Sequence, residues 1–143
     1  MTGPHDWHFI FRLRGVVVQT DRGTPRMTPG MGDLLQELSP DFNLWLFCEA
    51  AEDELSLMID GLQLAPMVPA TRRLSAAGNF RTDMPEELVD ALVKRTGGPR
   101  ESLLWIDDRP SVTSAVIRAG MNAVVFVDIF RLRRNLVLRG LVK

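Results

Sequence analysis

The stretch Phe9–Val18 reads FIFRLRGVVV, an apolar run that is interrupted by Arg12 and Arg14 and ended by Gly15. A central strand of a parallel sheet is buried on both faces and is therefore continuously apolar. Two arginines at the end of such a run predict that the chain leaves the core there. Because open α/β sheets bind ligands beyond the carboxyl ends of their strands, the sequence predicts a functional site at Arg12 and Arg14.

The composition indicates one soluble globular domain over residues 1–143. The chain is 45% hydrophobic and 24% charged, with a formal net charge of −1, which gives no electrostatic reason to expect a nucleic-acid partner. The single cysteine, Cys48, excludes an internal disulfide and fits a reducing compartment. Neither a secretory leader nor an apolar run of about 18 residues is visible. We expect a cytoplasmic protein with no membrane partner.

Strand and helix patterns alternate along the chain. Apolar runs predict strands at Phe9–Leu13, Phe42–Cys48, Ser102–Ile106 and Ala123–Val127. Apolar residues at spacings of three and four predict helices at about Gly30–Leu38, after Glu49, after Met84, around Val112–Ala119 and at Phe130–Leu141. Turn formers at Thr20–Pro29 predict a loop, and residues 63–82 give no clear pattern. The alternation predicts an α/β fold with a mostly parallel sheet that is covered on both faces.

One segment resembles a known family. LLWIDDRPSVTSAVIRAGMNAVVF, residues 103–126, is similar to the fourth signature segment of the haloacid dehalogenase-like (HAD) phosphohydrolases, a strand ending in two aspartates before a helix and an AGM turn. FRLRGVV at 11–17 falls where that family carries Asp-x-Asp-Gly-Val. FNLWLFCEA at 42–50 and SAAGNFRTDMPEE at 75–87 fall at the second and third segments. The resemblance implies a single three-layer, Rossmann-like HAD fold from Phe9 to Leu141.

The resemblance also implies that the first catalytic step is missing. In the family, the first aspartate of the strand-one pair attacks phosphorus and the second is a general acid/base. This sequence has Arg12 and Arg14 at those two positions. An arginine cannot act as that nucleophile, because its guanidinium stays protonated at any relevant pH.

Two further functional segments have also lost the family's side chains. Cys48 stands where the family has a Ser or Thr that binds phosphate, and Thr82 stands where it has a lysine. Cys48 is interpreted as a buried thiol, since no histidine lies in its segment to activate it. Only Asp107 and Asp108 match the family, at its metal-binding acidic pair. Glu49 is interpreted as a charge at a helix N-terminus, with a cation ligand beside the aspartate pair as the alternative.

The charge reversal suggests a replacement for the family's metal ion. In active relatives Mg²⁺ holds the carboxylates together, whereas here two cations are expected beside the strand that bears Asp107 and Asp108. Arg–carboxylate pairs can be bidentate, and one near a surface attracts by about 4 kcal/mol at about 4 Å before desolvation. We therefore hypothesise that the guanidinium of Arg12 or Arg14 occupies the place of the ion. The alternative is that both arginines point separately into solvent.

Three functions remain open. The first is a catalytically inactive HAD-like pseudoenzyme that serves as a binding, assembly or regulatory module, with no cofactor. The second is a divergent hydrolase or phosphatase that uses Asp107 and Asp108 with a divalent metal, Mg²⁺ if any. The third is a protein that binds an anion or a phosphometabolite with Arg12 and Arg14.

The chain is also short where many family members carry a cap domain. About fifteen residues separate Gly15 from the first predicted helix, and the segment after Leu62 is short as well. The resemblance therefore implies a capless form, and open sites of that kind often act on macromolecules or are covered by a second subunit. We expect a protein partner or a homodimer.

Overall fold

Seven strands and five helices follow one another along residues 6–49, 52–76 and 80–143, the residues that the computed structural model describes. The strands are β1 (His8–Arg12), β2 (Val18–Asp21), β3 (Thr24–Met27), β4 (Asn43–Cys48), β5 (Arg73–Ser75), β6 (Leu103–Asp107) and β7 (Asn122–Val125). The helices are α1 (Met31–Leu38), α2 (Glu52–Gly61), α3 (Pro85–Thr96), α4 (Pro110–Arg118) and α5 (Ile129–Leu138).

The first strand is the centre of a five-stranded parallel sheet. The order is β5-β4-β1-β6-β7, and every neighbouring pair is parallel. Phe9, Ile10 and Phe11 in β1 are fully buried, because strands lie on both sides of β1 and helices cover both faces. The register pairs Arg12 with Phe47 of β4. The run that opens the chain is therefore the central strand, and Arg12 is its last residue.

Two apolar clusters fill the space between the sheet and the two helix layers. One cluster contains buried leucines of α1, α2 and α5, and the other contains buried residues of α3 and α4. Phe9 and Phe11 belong to the first cluster and Ile10 to the second, as expected when side chains alternate across a strand. The predicted α/β fold, with its parallel sheet between two helical layers, is confirmed.

The prediction of a loop at Thr20–Pro29 is wrong. The structure has an antiparallel hairpin there, in which β2 pairs with β3. Arg22 and Gly23 form its two-residue turn with φ of 52° and 80°, the left-handed pair that joins twisted strands well. The strands were not recognised because residues 19–26 are exposed, so no alternation of apolar and polar residues marks them.

The free edge of β7 is covered by a side chain of the last helix region. Nη2 of Arg139, just after α5, donates to the carbonyl oxygen of Ala123 at 3.3 Å. An unpaired strand edge is a template for pairing with other chains, and a charged side chain on it opposes such pairing.

In the described part of the chain, no helix is both long and apolar enough to cross a membrane.

Candidate functional site

The carboxyl ends of β1, β4 and β6 meet at one edge of the sheet. β4 and β6 are the two hydrogen-bonded neighbours of β1, so residues that follow the three strands come together. Arg12 ends β1, Glu49 directly follows β4, and Asp107 ends β6. Side chains far apart in sequence are therefore neighbours, as expected for this edge of an α/β sheet.

The Arg12 guanidinium lies between carboxylates of both neighbouring strands. Its Nε donates to Oε1 of Glu49 at 3.0 Å, and its Nη1 donates to Oδ1 of Asp108 at 2.9 Å. Nη1 also donates to the main-chain carbonyl of Arg14 at 2.8 Å. Only 17% of the Arg12 side chain is exposed. For Arg12, the alternative of an arginine that points into solvent is wrong.

A second guanidinium holds the buried aspartate at the end of β6. Arg109 donates from Nε to Oδ1 of Asp107 at 3.0 Å and from Nη2 to Oδ2 at 2.8 Å. The Arg109 main-chain N–H and the Trp105 indole also donate to this carboxylate, at 2.9 and 3.0 Å. Burial by itself raises the pKa of Asp107, but these hydrogen bonds outweigh it and the pKa lies below its usual range. Asp107 is therefore a buried anion.

Glu49 joins the two guanidiniums into one chain of charges. Its Oε1 accepts from Arg12 and lies 3.1 Å from Nη2 of Arg109. The resulting order is Asp108–Arg12–Glu49–Arg109–Asp107, which we name the ion-pair chain. It contains two cations and three anions, a net charge of −1 (2 − 3). It connects the ends of β1, β4 and β6, so it fixes the loops at this edge relative to one another.

The turn after β1 is shaped to receive Asp108. Gly15 has φ of 90°, and a Cβ atom built on it would lie 2.7 Å from Cγ of Asp108. The carboxylate thus packs directly against the glycine main chain, where no other residue leaves room. The glycine that ends the opening run is required both by its left-handed conformation and by this close approach.

The side chains of the remaining residues singled out from the sequence are not members of the ion-pair chain. The Arg14 side chain is exposed and forms no ion pair with any residue that the structure describes. Its place in the predicted set of pairs is taken by Arg109. Cys48 is fully buried at the end of β4. Thr82 is half-buried in the turn before α3.

Two members of the ion-pair chain are not apparent from the sequence alone. Arg109 is not among the predicted site residues, although Trp105, Asp107 and Arg109 alternate along the strand direction and such residues share a side. That period of two is the available signal. The charge of Glu49 is explained equally well by a helix N-terminus, although Glu49 lies two residues beyond Phe47, the register partner of Arg12. Only the strand order reveals this neighbour.

The residues at this edge do not fit a Mg²⁺ ion. Both carboxylate oxygens of Asp107 already accept hydrogen bonds from Arg109, and Trp105 donates to one of them. A cationic side chain occupies the space between Glu49 and Asp108. Within residues 6–49, 52–76 and 80–143, no three His, Cys, Asp or Glu side chains are grouped to hold a metal ion.

Solved structures identify the fold. A hydrolase from Streptococcus pneumoniae TIGR4 superposes with a TM-score of 0.74 at 16% identity, covering 94% of this chain and 99% of that one. A haloacid dehalogenase-like family hydrolase from S. pneumoniae gives a TM-score of 0.65 at 12% identity, with 90% of each chain covered. The chain has the HAD-like fold.

The HAD-like fold is shared with a protein that holds a metal and phosphate. A HAD family enzyme from Bacteroides thetaiotaomicron, in complex with magnesium and inorganic phosphate, gives a TM-score of 0.66 at 9% identity. It covers 86% of this chain and 95% of that one. No protein-family model matches this sequence, and no curated protein matches it. At these identities the likeness shows the HAD-like fold alone.

Proposed function

We propose that the chain is a non-catalytic member of the HAD superfamily that acts as a binding, assembly or regulatory module. One observation carries the proposal: Arg12 ends the central strand, where the resemblance places the attacking carboxylate. A guanidinium carries no lone pair for attack on phosphorus and does not lose its proton at physiological pH. The reaction of the family therefore has no first step here.

The geometry of the aspartate pair supports this proposal over a divergent hydrolase. Asp107 is fully buried, and both its oxygens are saturated by Arg109 and Trp105. Asp108 is engaged by Arg12. For Asp107 to attack a substrate or bind a metal, its ion pair with Arg109 would first have to break.

Phosphatase assays test the lack of catalysis. We expect the purified protein to release no p-nitrophenol from p-nitrophenyl phosphate above the buffer rate, with or without Mg²⁺. The matched control is Asp108→Asn, prepared identically and checked for folding by circular dichroism. Residual turnover that is equal in both proteins is a contaminant and agrees with the proposal. Turnover that scales with wild-type protein and is lost in Asp108→Asn overturns it.

We also propose that the Arg12 guanidinium takes the place of the family's divalent cation. Among the described residues, it donates to four oxygens: Oε1 and Oε2 of Glu49 at 3.0 and 3.4 Å, Oδ1 of Asp108 at 2.9 Å and the Arg14 carbonyl at 2.8 Å. Carboxylate and carbonyl oxygens are the ligands that hard cations prefer. A permanent side-chain cation thus gives these oxygens the partner that a bound ion would give.

Terbium luminescence tests this replacement. Excitation of Trp105, whose indole donates to Asp107 at 3.0 Å, should sensitise a Tb³⁺ ion bound at this edge. We expect no saturable signal from the wild type and a saturable signal from Arg12→Gln, which removes the cation and keeps the carboxylates. The control is Arg81→Gln, which removes an exposed arginine paired with Asp83. An equal signal in the wild type, or none in Arg12→Gln, would refute the replacement.

The open edge of the sheet supports a macromolecular partner. Only the β2–β3 hairpin lies between β1 and α1, and a few turns separate α2 from β5. No described segment is long enough to form a domain over the ion-pair chain. We therefore propose a capless protein that works through a protein partner or a second copy. A buried lone cysteine agrees with a cytoplasmic location, which we propose as well.

A further inference from the structure

Helices α2, α1 and α5 lie side by side in one layer on the sheet. α1 connects β1 to β4, α2 leads from β4 towards β5, and α5 follows β7 at the opposite edge. All three helices contribute to the same apolar cluster. Arg133 of α5 forms an ion pair with Glu37 of α1. α1 therefore lies in the middle, between α2 and α5.

The outer side of α5 is apolar and basic. Phe130 and Leu138 are 78% and 77% exposed, and both lie away from the leucines that α5 buries. Arg131 and Arg134, also exposed, are on the same outer side. Phe130, Arg134 and Leu138 follow one another at spacings of four, so they form one stripe. We name these four residues the basic face.

The outer side of α2 is apolar and acidic. Leu57 is 74% exposed and lies opposite the residues that α2 buries. Asp53, Glu54 and Asp60, all exposed, surround it. Within the described part of the chain, Asp53 and Glu54 form no ion pair. We name Asp53, Glu54, Leu57 and Asp60 the acidic face.

We propose that two copies of the chain pack through this layer, with the acidic face of each against the basic face of the other. α1 separates the two faces within one chain, so they cannot meet there. A two-fold axis that runs parallel to α1 places α2 of one copy opposite α5 of the other. The same contact then forms twice in a closed dimer. Such an axis leaves positions along the helices unchanged.

The positions of the charged residues along the helix axes agree with this two-fold axis. α2 and α5 both begin at the carboxyl edge of the sheet, because each follows a parallel strand. Asp53 and Glu54 in the first turn of α2 therefore reach the level of Arg131 in the first turn of α5. Leu57 reaches the level of Arg134, between Phe130 and Leu138 of the stripe. Opposite charges in the first turn thus lie beside an apolar centre formed by Leu57, Phe130 and Leu138.

The charge pattern favours a second copy over other occupants. Packing of α5 on α5 would place arginine against arginine. An anionic partner broad enough to cover the layer would attract the basic face but repel the acidic face. A surface that carries both patterns in reverse order matches the two faces, and this chain presents such a surface.

Charge reversal tests the pairing. We expect sedimentation velocity to show a particle of two chains at about 100 µM, and the dissociation constant to rise about tenfold or more in Arg131→Glu/Arg134→Glu. Asp53→Arg/Glu54→Arg should weaken the dimer to the same degree. All four changes together should restore it. Arg118→Glu, an exposed reversal on α4 at the other face of the sheet, is the control and should leave the dimer intact.

Removal of the apolar centre provides a second readout. Phe130→Ser and Leu138→Ser should each weaken the dimer, whereas Ile117→Ser on α4, where Ile117 is 55% exposed, should not. A wild type that is monomeric at about 100 µM overturns the proposal, as does a dimer that none of these face variants weakens. These experiments involve no turnover, so either result leaves the proposed lack of catalysis standing.

Discussion

Replacing Gly15 by alanine is expected to lower the free energy of unfolding by about 3 kcal/mol. The left-handed backbone, with φ of 90°, costs a side chain about 1–2 kcal/mol. The added methyl group would also meet the Asp108 carboxylate, 2.7 Å from its Cγ, and overpacking adds about 1–3 kcal/mol. Moving Asp108 away would relieve the clash but break its pair with Arg12. Urea unfolding measures the effect.

Gly23→Ala is the matched control for this prediction. Gly23 has φ of 80°, but a Cβ atom built there meets nothing within 4 Å. An alanine at this position therefore experiences the backbone strain alone. We expect Gly23→Ala to lower the free energy of unfolding by about 1 kcal/mol. If the two variants lost equal stability, the close approach of Asp108 to Gly15 would contribute nothing. The ion-pair chain would then be looser than described.

Arg109→Ala is expected to lower the free energy of unfolding by about 3 kcal/mol at pH 7, because it leaves a fully buried Asp107 without its bidentate cation. The effect should depend on pH. In the wild type the depressed pKa of Asp107 adds stability above its unfolded value of 3.8, and this is lost as the pH falls through the folded pKa. In the variant that pKa rises, so the deficit should shrink on acidification.

Arg81→Ala is the control for Arg109→Ala. Arg81 and Asp83 form the same bidentate pair two residues apart, with contacts of 3.1 and 2.8 Å, but both side chains are exposed. Solvent screens such a pair, so we expect no measurable change in stability at any pH. Urea unfolding at pH 7 and at about pH 3, below the unfolded pKa of 3.8 for Asp107, separates the cases. A deficit in Arg109→Ala that did not vary with pH would contradict the buried anion.

Most of the fold was predictable because the strands are buried on both faces. A run such as Phe9–Phe11 contains no polar residue, so the pattern of a buried strand is clear. In the helices, apolar residues recur at spacings of three and four. Two elements escaped for physical reasons. The β2–β3 hairpin is exposed on both sides, and β5 spans only Arg73–Ser75, too few residues for a pattern.

The candidate site was predictable in position but only partly in composition. Arg12 and the aspartate pair are visible at strand ends, and Arg12 does lie against Asp108. Which carboxylate meets which guanidinium depends on strand order and on side-chain direction. Glu49 reaches Arg12 because β4 is the neighbour of β1. No local pattern contains that information.

The ion-pair chain also constrains how this sequence can change over generations. A change of Arg12 to aspartate would convert a net charge of −1 at the edge into −3 (−1 − 2), with a fourth carboxylate beside Glu49 and Asp108. Like charges at that separation repel strongly, so the variant would be less stable than the present chain. The ion-pair chain thus sets a stability barrier against any carboxylate at the end of the central strand.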